Sequence, residues 1–447
     1  MTSARKRGQF DRYYRFASRT PLILALVAAL PGTAGALDLE YDVGLSVGYD
    51  DNLSLTEDNE VSDTIVTPLL RFTAEQDGPR VKVQARGDFR YPMYLDNTFD
   101  DRFRGKFAGN VDWSLLPDRL DWVFQDYMSP QQIDELAASS PDNEQQVNLF
   151  VTGPTLYARF GAATRGQFDL RYGNSYAEES DEFNGDRYSA AARVLHEIDA
   201  TSKISGNLEA ADIKYDSEGA ASDYKRYDAY VGYGRKGPKL SFDLDLGYTQ
   251  LDREASPDHD DDPLARVRAD WRFSSRSLLR LTARYQFTDA TQNLITPTFD
   301  FADRDIVYLY YPDIVVDPDV YRERMAKLAY EYTSERTSLR LQPYYRRLRY
   351  FDDATLNQDQ NRTGALLDID YRLRPLLTLS FVAGYEDRDY DDIDREDKNT
   401  TFNLGLENQF TRHWIGRIDA RYLERDSNAP GRSYEDNAYF ITVFYRR

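Results

Sequence analysis

The segment Lys239–Gln250, KLSFDLDLGYTQ, alternates with period two. Phe242, Leu244, Leu246 and Tyr248 share one face of a strand, and Ser241, Asp243, Asp245, Gly247 and Thr249 share the other, because strand side chains point to opposite faces in turn. One face is apolar and ends in an aromatic ring, while the other carries two carboxylates. The pattern recurs at RVKVQARGDFRY (residues 80–91), ARVRADWRF (265–273), LRLTARYQF (279–287) and WIGRIDARY (414–422). A chain that repeats it this often is built of half-apolar strands, and it must bring the apolar faces against something greasy. After residue 37 no long stretch has helical period; Gln131–Ser140 reads as the one short helix.

The connections alternate as regularly as the side chains. Short turns fall at Gln76–Pro79, Leu116–Arg119, Arg235–Pro238, Ser274–Arg276, Ser334–Thr337, Arg374–Pro375 and Thr411–His413. Between them lie long polar loops: Asp50–Asp63, Leu95–Asp101, Met128–Gln145, Ala177–Asp186, Asp216–Asp223, Leu251–Asp262, Thr288–Asp319, Phe351–Arg362, Glu386–Thr400 and Glu424–Asn437. One trimmed rim and one elaborated rim describe an all-β, up-and-down antiparallel transmembrane barrel. The count gives about 20 strands, or 18 if one hairpin is miscounted, on the ±2–4 residue error of element boundaries. The short turns carry Arg235, Lys236, Arg276, Arg336, Arg374 and Arg412, whereas Glu386–Lys398 holds eight acids and three bases. The long acidic rim is therefore expected outside the cell and the short rim in the periplasm.

Apolar faces rich in Ala, Gly and Tyr, with aromatics near strand ends (Tyr248, Trp271, Phe273, Tyr285, Tyr332, Tyr371, Tyr385, Trp414, Tyr422), suit lipid better than a sandwich core, whose inward positions are bulky and wholly apolar. A secreted solenoid or propeller would need a fixed-period repeat, and the sequence has none. The mean hydropathy of −0.68 argues against helical membrane spans, but not against a barrel with a polar lumen. The final strand, Tyr439–Tyr445, is rich in aromatics as an assembly signal would be, yet the chain ends in Arg446-Arg447.

Residues 1–36 read as a signal peptide. Arg5, Lys6, Arg7, Arg12, Arg15 and Arg19 precede the apolar run Pro21–Leu30, which is followed by Ala34-Gly35-Ala36. The run is too short for the roughly 20 residues of a spanning helix. The barrel is expected to occupy 37–447 of a chain exported to the outer membrane of a Gram-negative bacterium. Losing six bases and one acid takes the net charge from −20 to −25, which excludes nucleic acid as a natural partner. The absence of cysteine suits a barrel, which needs no disulfides.

Signs of catalysis are few. Of three histidines, His196 and His413 lie near short turns, and only His259, in DREASPDHDDD, sits at the outer rim. An Asp/His pair there could activate water, making a barrel hydrolase one alternative; a solvated acidic loop is the simpler reading. The Asp-rich loops offer hard oxygen ligands for Ca²⁺, but none has the spacing of a dedicated calcium loop, and no metal or cofactor is expected. The polar strand face is more informative. Arg86, Arg90, Arg266, Arg268, Arg272, Arg280, Arg284, Arg340, Arg346, Arg417 and Arg421 fall on it, interspersed with Asp88, Asp169, Asp243, Asp245, Asp270, Asp368, Asp370 and Asp419. Two readings stand. Either these form Arg–Asp ladders that neutralise each other, or they line a path for an anionic or hydroxyl-rich solute, with Tyr230 and Tyr344 as stacking faces. The segment 288–319 contains DIVYLYYPDIVV; it is expected to fold into the mouth as a constriction or lid, to form a hairpin over the rim, or to contact a partner.

Three segments carry a resemblance. VGLSVGYDDNLSLTED, RLDWVFQDYMSP and NEQQVNLFVTGPTLYARFG resemble the exopolysaccharide-associated outer-membrane barrels, also called putative β-barrel porin 2, which are encoded with exopolysaccharide and exosortase loci. The resemblance implies a non-enzymatic channel that exports or assembles an exopolysaccharide. Its implied partners are outer-membrane lipid and lipopolysaccharide, the polysaccharide itself and periplasmic export components. A general or solute-specific porin is the alternative.

Overall fold

The computed structural model describes residues 37–216, 223–254, 256, 259–295, 319–351 and 359–447. The expected signal segment and the stretch 305–316 lie outside the described residues. Twenty-one strand segments follow in order: β1 (Asp38–Asp50), β2 (Asp63–Asp77), β3 (Val81–Arg90), β4 (Met93–Tyr94), β5 (Arg104–Leu116), β6 (Leu120–Gln132), β7 (Glu144–Arg159), β8 (Thr164–Ala177), β9 (Gly185–Glu197), β10 (Ser202–Tyr215), β11 (Tyr224–Lys236), β12 (Leu240–Arg253), β13 (His259–Arg272), β14 (Ser277–Thr288), β15 (Tyr321–Thr333), β16 (Thr337–Tyr350), β17 (Gln360–Arg374), β18 (Leu377–Tyr390), β19 (Arg395–Gln409), β20 (Trp414–Ser427) and β21 (Tyr434–Arg446). The two-residue β4 pairs with β2 beyond the end of β3, so the two pieces make one interrupted wall strand and the barrel has 20 strands. Each strand pairs antiparallel with its neighbours in sequence. The ring closes where β1 meets β21, from Asp42↔Arg446 to Asp50↔Ala438. Closure removes the unpaired edges that hydrocarbon cannot hydrate.

The alternation in sequence becomes an inside and an outside. On β1, Val43, Leu45, Val47 and Tyr49 are 44–49% exposed, whereas Ser46 and Asp50 between them are 4% and 2%. On β12, Leu246 and Tyr248 are each 52% exposed and Thr249 is buried. On β1 the buried side chains are polar and face the bore; on β3 the buried ones are instead the apolar Val81, Val83 and Ala85, which pack with Phe107, Val111 and Met128. The exposed apolar residues, Trp271, Phe273, Tyr385 and Trp414 among them, face lipid. The apolar face of Lys239–Gln250 meets the membrane.

The short rim is trimmed as expected, to stretches such as 237–239, 334–336 and 375–376. The long rim is less loop-like than the sequence suggests. The expected loop Glu386–Thr400 is mostly strand: β18 runs to Tyr390 and β19 starts at Arg395, which leaves a turn at 391–394. Likewise β13 starts at His259, inside the expected loop Leu251–Asp262. Above the membrane both faces of a strand meet water, so alternation of apolar with polar is no longer required and strand looks like polar loop. The helix expected at Gln131–Ser140 does not form; β6 continues to Gln132, and the only helical geometry nearby is a 3₁₀ turn at Pro141–Asn143.

The wall has one long seam. The β13–β14 ladder runs from Arg272↔Leu278 to Ala265↔Tyr285 and then stops, although β13 continues to His259 and stays paired with β12. Pro263 lies in this continuation and has no N–H to donate. Side chains bridge the seam: the Tyr285 hydroxyl donates to Asp262 at 2.9 Å, and Arg322 of β15 pairs with the same carboxylate.

Candidate functional site: an arginine-lined constriction

The connection between β6 and β7, residues 133–143, folds into the bore. Its base is closed by Ile133 N–H donating to Asn143 O at 3.0 Å. The Asn143 side chain then organises it, accepting from Asp134 N–H at 2.9 Å and donating to Asp134 O and Ala138 O at 2.8 and 2.9 Å. Such a self-bonded loop holds its shape without a helix or strand, and it carries Glu135, Leu136 and Ala137 at its inward side.

Opposite this loop stand β17 to β20, at the other side of the ring. Period two places Gln360 and Arg362, Glu386 and Arg388, and Arg395 and Asp397 on the lumen face of their strands. Glu135 is buried, at 4% exposure, among them. Its Oε1 accepts from Gln360 Nε2 at 2.6 Å and Arg362 Nη2 at 2.7 Å, and lies 3.7 Å from Arg388 Nη1. Arg395 Nη1 donates to Leu136 O at 2.8 Å and Arg425 Nη1 to Ala137 O at 3.4 Å. The guanidiniums are oriented from behind. Arg362 Nε donates to Gln360 Oε1, Arg388 donates to Glu386 at 2.8 Å, Arg395 forms a two-pronged pair with Asp397, and Arg425 Nε donates to Asn399 at 2.9 Å. The loop thus spans the bore and ends in a preset cage for one carboxylate.

A second connection enters as well. After β14 the chain turns into α1 (Ala290–Ile295). Asp289 caps it, accepting from Gln292 N–H at 2.7 Å, and its other oxygen binds Arg187 and the Tyr224 hydroxyl. Burial alone would raise the Asp289 carboxyl; Arg187, Tyr224 and the Gln292 N–H overcome this and hold it below the ordinary carboxylate range. Ala290 packs with Val147 and Ala177 of one wall and Tyr321 and Leu348 of another. So the first residues of the segment 288–319 do enter the mouth.

Ten of the eleven arginines singled out in the sequence have partners, and Arg272 stands exposed near the short rim. Arg90 shares Asp88 with Arg71, at 2.9 and 3.0 Å, and Arg86 lies 3.9 Å from Glu75. Arg280 bridges Asp270 and Glu331 at 2.8 and 3.4 Å, with Arg340 on Glu331 at 3.5 Å and Arg268 on Asp270 at 3.9 Å. Arg284 and Arg346 hold the buried Glu323 at 3.3 and 2.9 Å. Arg417 pairs with Asp419, and Arg421 with both Asp50 and Asp436. Arg266 instead donates to the neutral Gln286 at 2.6 Å and lies 5.5 Å from the Tyr230 ring centre. Tyr230 and Tyr344 donate their hydroxyls to Glu209 and Glu386. These contacts are those of a neutralising ladder. The four arginines around the β6–β7 loop were missed by sequence reasoning.

His259 does have an acid beside it, with Nδ1 2.7 Å from Asp252 Oδ1, but its side chain is 63% exposed at the rim. No nucleophile contacts the pair among the described residues. His196 meets Thr164 Oγ1, and His413 meets Arg446 O. Among the described residues no three His, Cys, Asp or Glu side chains gather to hold a metal ion.

The sequence profile of the family described as "Putative beta-barrel porin 2" matches residues 361–447. Solved structures similar to this chain include OmpT, an outer membrane protein of Vibrio cholerae (10% identity, 94% of this chain and 99% of that one, TM-score 0.36). They also include the copper transporter OprC (11%, 94% and 82%, 0.44) and the FrpB iron transporter from Neisseria meningitidis (8%, 92% and 83%, 0.45). A search of curated proteins by sequence finds no match. With its closed 20-stranded wall and lipid-facing apolar surface, the chain is a transmembrane β-barrel of the Gram-negative outer membrane.

Proposed function

We propose that this barrel is a non-enzymatic channel through which an exopolysaccharide is exported or assembled at the cell surface, after removal of residues 1–36. The observation that carries the channel reading is the bore itself, which holds many ion pairs, is crossed by the loop bearing Glu135 and is entered from another side by α1. Such a lining suits polar, hydroxyl-rich solutes. The polysaccharide role is supported by the resemblance of the segments quoted above. A general or solute-specific porin uses the same bore and is the second reading. A deletion strain assayed for surface polysaccharide separates the two. Loss of polysaccharide that returns with the plasmid-borne gene supports export; unchanged polysaccharide with slower uptake of small solutes supports the porin.

A further inference from the structure

Glu135 occupies its cage as a ligand would. It arrives on a loop from the far wall, 225 residues away in sequence from Gln360. One oxygen takes the charge-assisted bonds, while Oε2 is buried with no hydrogen-bond partner among the described residues. The neighbouring acceptors, Leu136 O and Ala137 O, present to Arg395 and Arg425 a row of oxygens much like that of a hydroxylated chain. Among the described residues Arg362, Arg388, Arg395 and Arg425 gather on one side of Glu135, held in place by Gln360, Glu386, Asp397 and Asn399. Guanidiniums oriented in this way are set to take a carboxylate in the place that Glu135 occupies.

We propose that Gln360, Arg362 and Arg388, with Arg395 and Arg425 beside them, form a binding site for the carboxylate of an acidic sugar, and that Glu135 is its tethered stand-in when no solute is bound. The loop lifts as a uronate residue of the passing chain takes the place of Glu135, so solute binding and widening of the bore are one exchange. Electrostatics favour the exchange, because an incoming carboxylate replaces the one that leaves and the guanidiniums are never left bare. This deepens the polysaccharide-channel reading and rests on it, by naming acidic chains as the class.

The test uses the full-length barrel in detergent and in planar bilayers, with galacturonate oligomers and neutral maltooligosaccharides of equal length as probes. Calorimetry should show that the wild type binds the acidic oligomer and not the neutral one. Glu135→Gln removes the competing charge and should tighten that binding while raising conductance. Arg362→Gln should weaken it about 10-fold or more, the loss expected for one charge-assisted hydrogen bond. Heat-modifiable mobility in gels verifies that each variant is folded, and Glu135→Gln, which alters only a loop, keeps the test decisive if Arg362→Gln does not assemble. Equal binding of acidic and neutral oligomers, or acidic binding that ignores Glu135→Gln, overturns the proposal. If salt and neutral oligomers still pass in that case, the channel reading survives without the carboxylate site. If the folded barrel carries no current, the channel reading falls, and calorimetry still decides the site.

Discussion

Leu246→Arg against Asp243→Arg tests the assignment of the two faces. Leu246 lies near the middle of the 14-residue β12 and is 52% exposed on the outer face, beside Val231 at 54% on the neighbouring strand. If that exposure is to hydrocarbon, a guanidinium there costs about 2–4 kcal/mol at the midplane. Asp243 lies three residues away on the opposite face. Its side chain is 55% exposed and has one ion pair, to Lys203 at 4.0 Å. A pair that long and wet contributes less than about 1 kcal/mol, so Asp243→Arg should cost no more than that, the new charge being free to point into water. Both variants add an arginine to the same strand, so differences in propensity and export largely cancel. The assay is the urea midpoint of the folded, heat-modifiable species in lipid vesicles, with an outer-membrane fraction as the cellular control. A large downward shift for Leu246→Arg alone is expected. Equal midpoints, or a larger loss for Asp243→Arg, would refute the inside–outside assignment and with it the barrel's orientation to lipid.

Arg280→Gln removes both of the guanidinium's carboxylate contacts, at side-chain exposures between 24% and 30%, and should cost about 1–2 kcal/mol in the same urea assay. Arg268→Gln, at 58% exposure with one 3.9 Å contact, should cost less than about 0.5 kcal/mol. Combining Arg266, Arg268, Arg280 and Arg284→Gln should therefore destabilise the barrel while moving the reversal potential only modestly toward cations; a large change in selectivity at unchanged stability would show that these arginines line a path and do not brace the wall. Asp289, whose carboxyl is held below its ordinary value, contributes stability that is complete above the unfolded carboxylate range, about pH 4, and is lost as pH falls through the lowered folded value. The thermal midpoint should accordingly show no pH dependence from this group between pH 5 and 8, and Asp289→Asn should lower it throughout that window; a variant that differs from wild type only above pH 6 would rule the assignment out.

The wall was legible because lipid enforces it. Between the interfaces every outward position must be apolar, so segments such as 265–273 and 279–287 alternate strictly and their faces could be read from the sequence. The even strand number followed from counting turns, which in a barrel with one trimmed rim are short and mostly carry Gly, Pro or Ser. The candidate site was not legible for the converse reason. Arg362, Arg388, Arg395 and Arg425 lie on strand that projects beyond the membrane, where outward positions such as Asp389 are exposed and polar. With both faces polar, YEDRDY and REDKNT read as loop, although the period-two spacing of Glu386, Arg388 and Tyr390 was there to be found and all three are buried. The fold of residues 133–143 left less trace still, since it depends on one asparagine bonding to backbone several residues away. The expected mouth element at 288–319 was marked by its apolar run, yet what the structure shows entering the bore is its polar first turn, capped by Asp289.

The lumen arginines also correct a natural inference from charge. A chain with a formal net charge of −20 and an arginine-rich inner face suggests acidic loops outside and a positive pore within. The contacts say otherwise for most of the wall. Arg284 and Arg346 are spent on Glu323, Arg421 on Asp50 and Asp436, and Arg90 and Arg71 on Asp88. A guanidinium held by a carboxylate within 3–4 Å contributes little field to a solute a Debye length away, about 8–10 Å at physiological salt. What a passing solute senses is the local imbalance, and selectivity need not follow the number of arginines. Where β17 to β20 meet the loop from β6, the guanidiniums are answered by a carboxylate that is not part of the wall. Among the described acids of that cage, Glu135 is the one whose backbone belongs to a connection and not to a ladder. If Glu135 yields its place to a solute as proposed, charge, width and mobility of the bore meet in a single residue, whereas in a rigid constriction they would be set separately by wall strands that cannot shift.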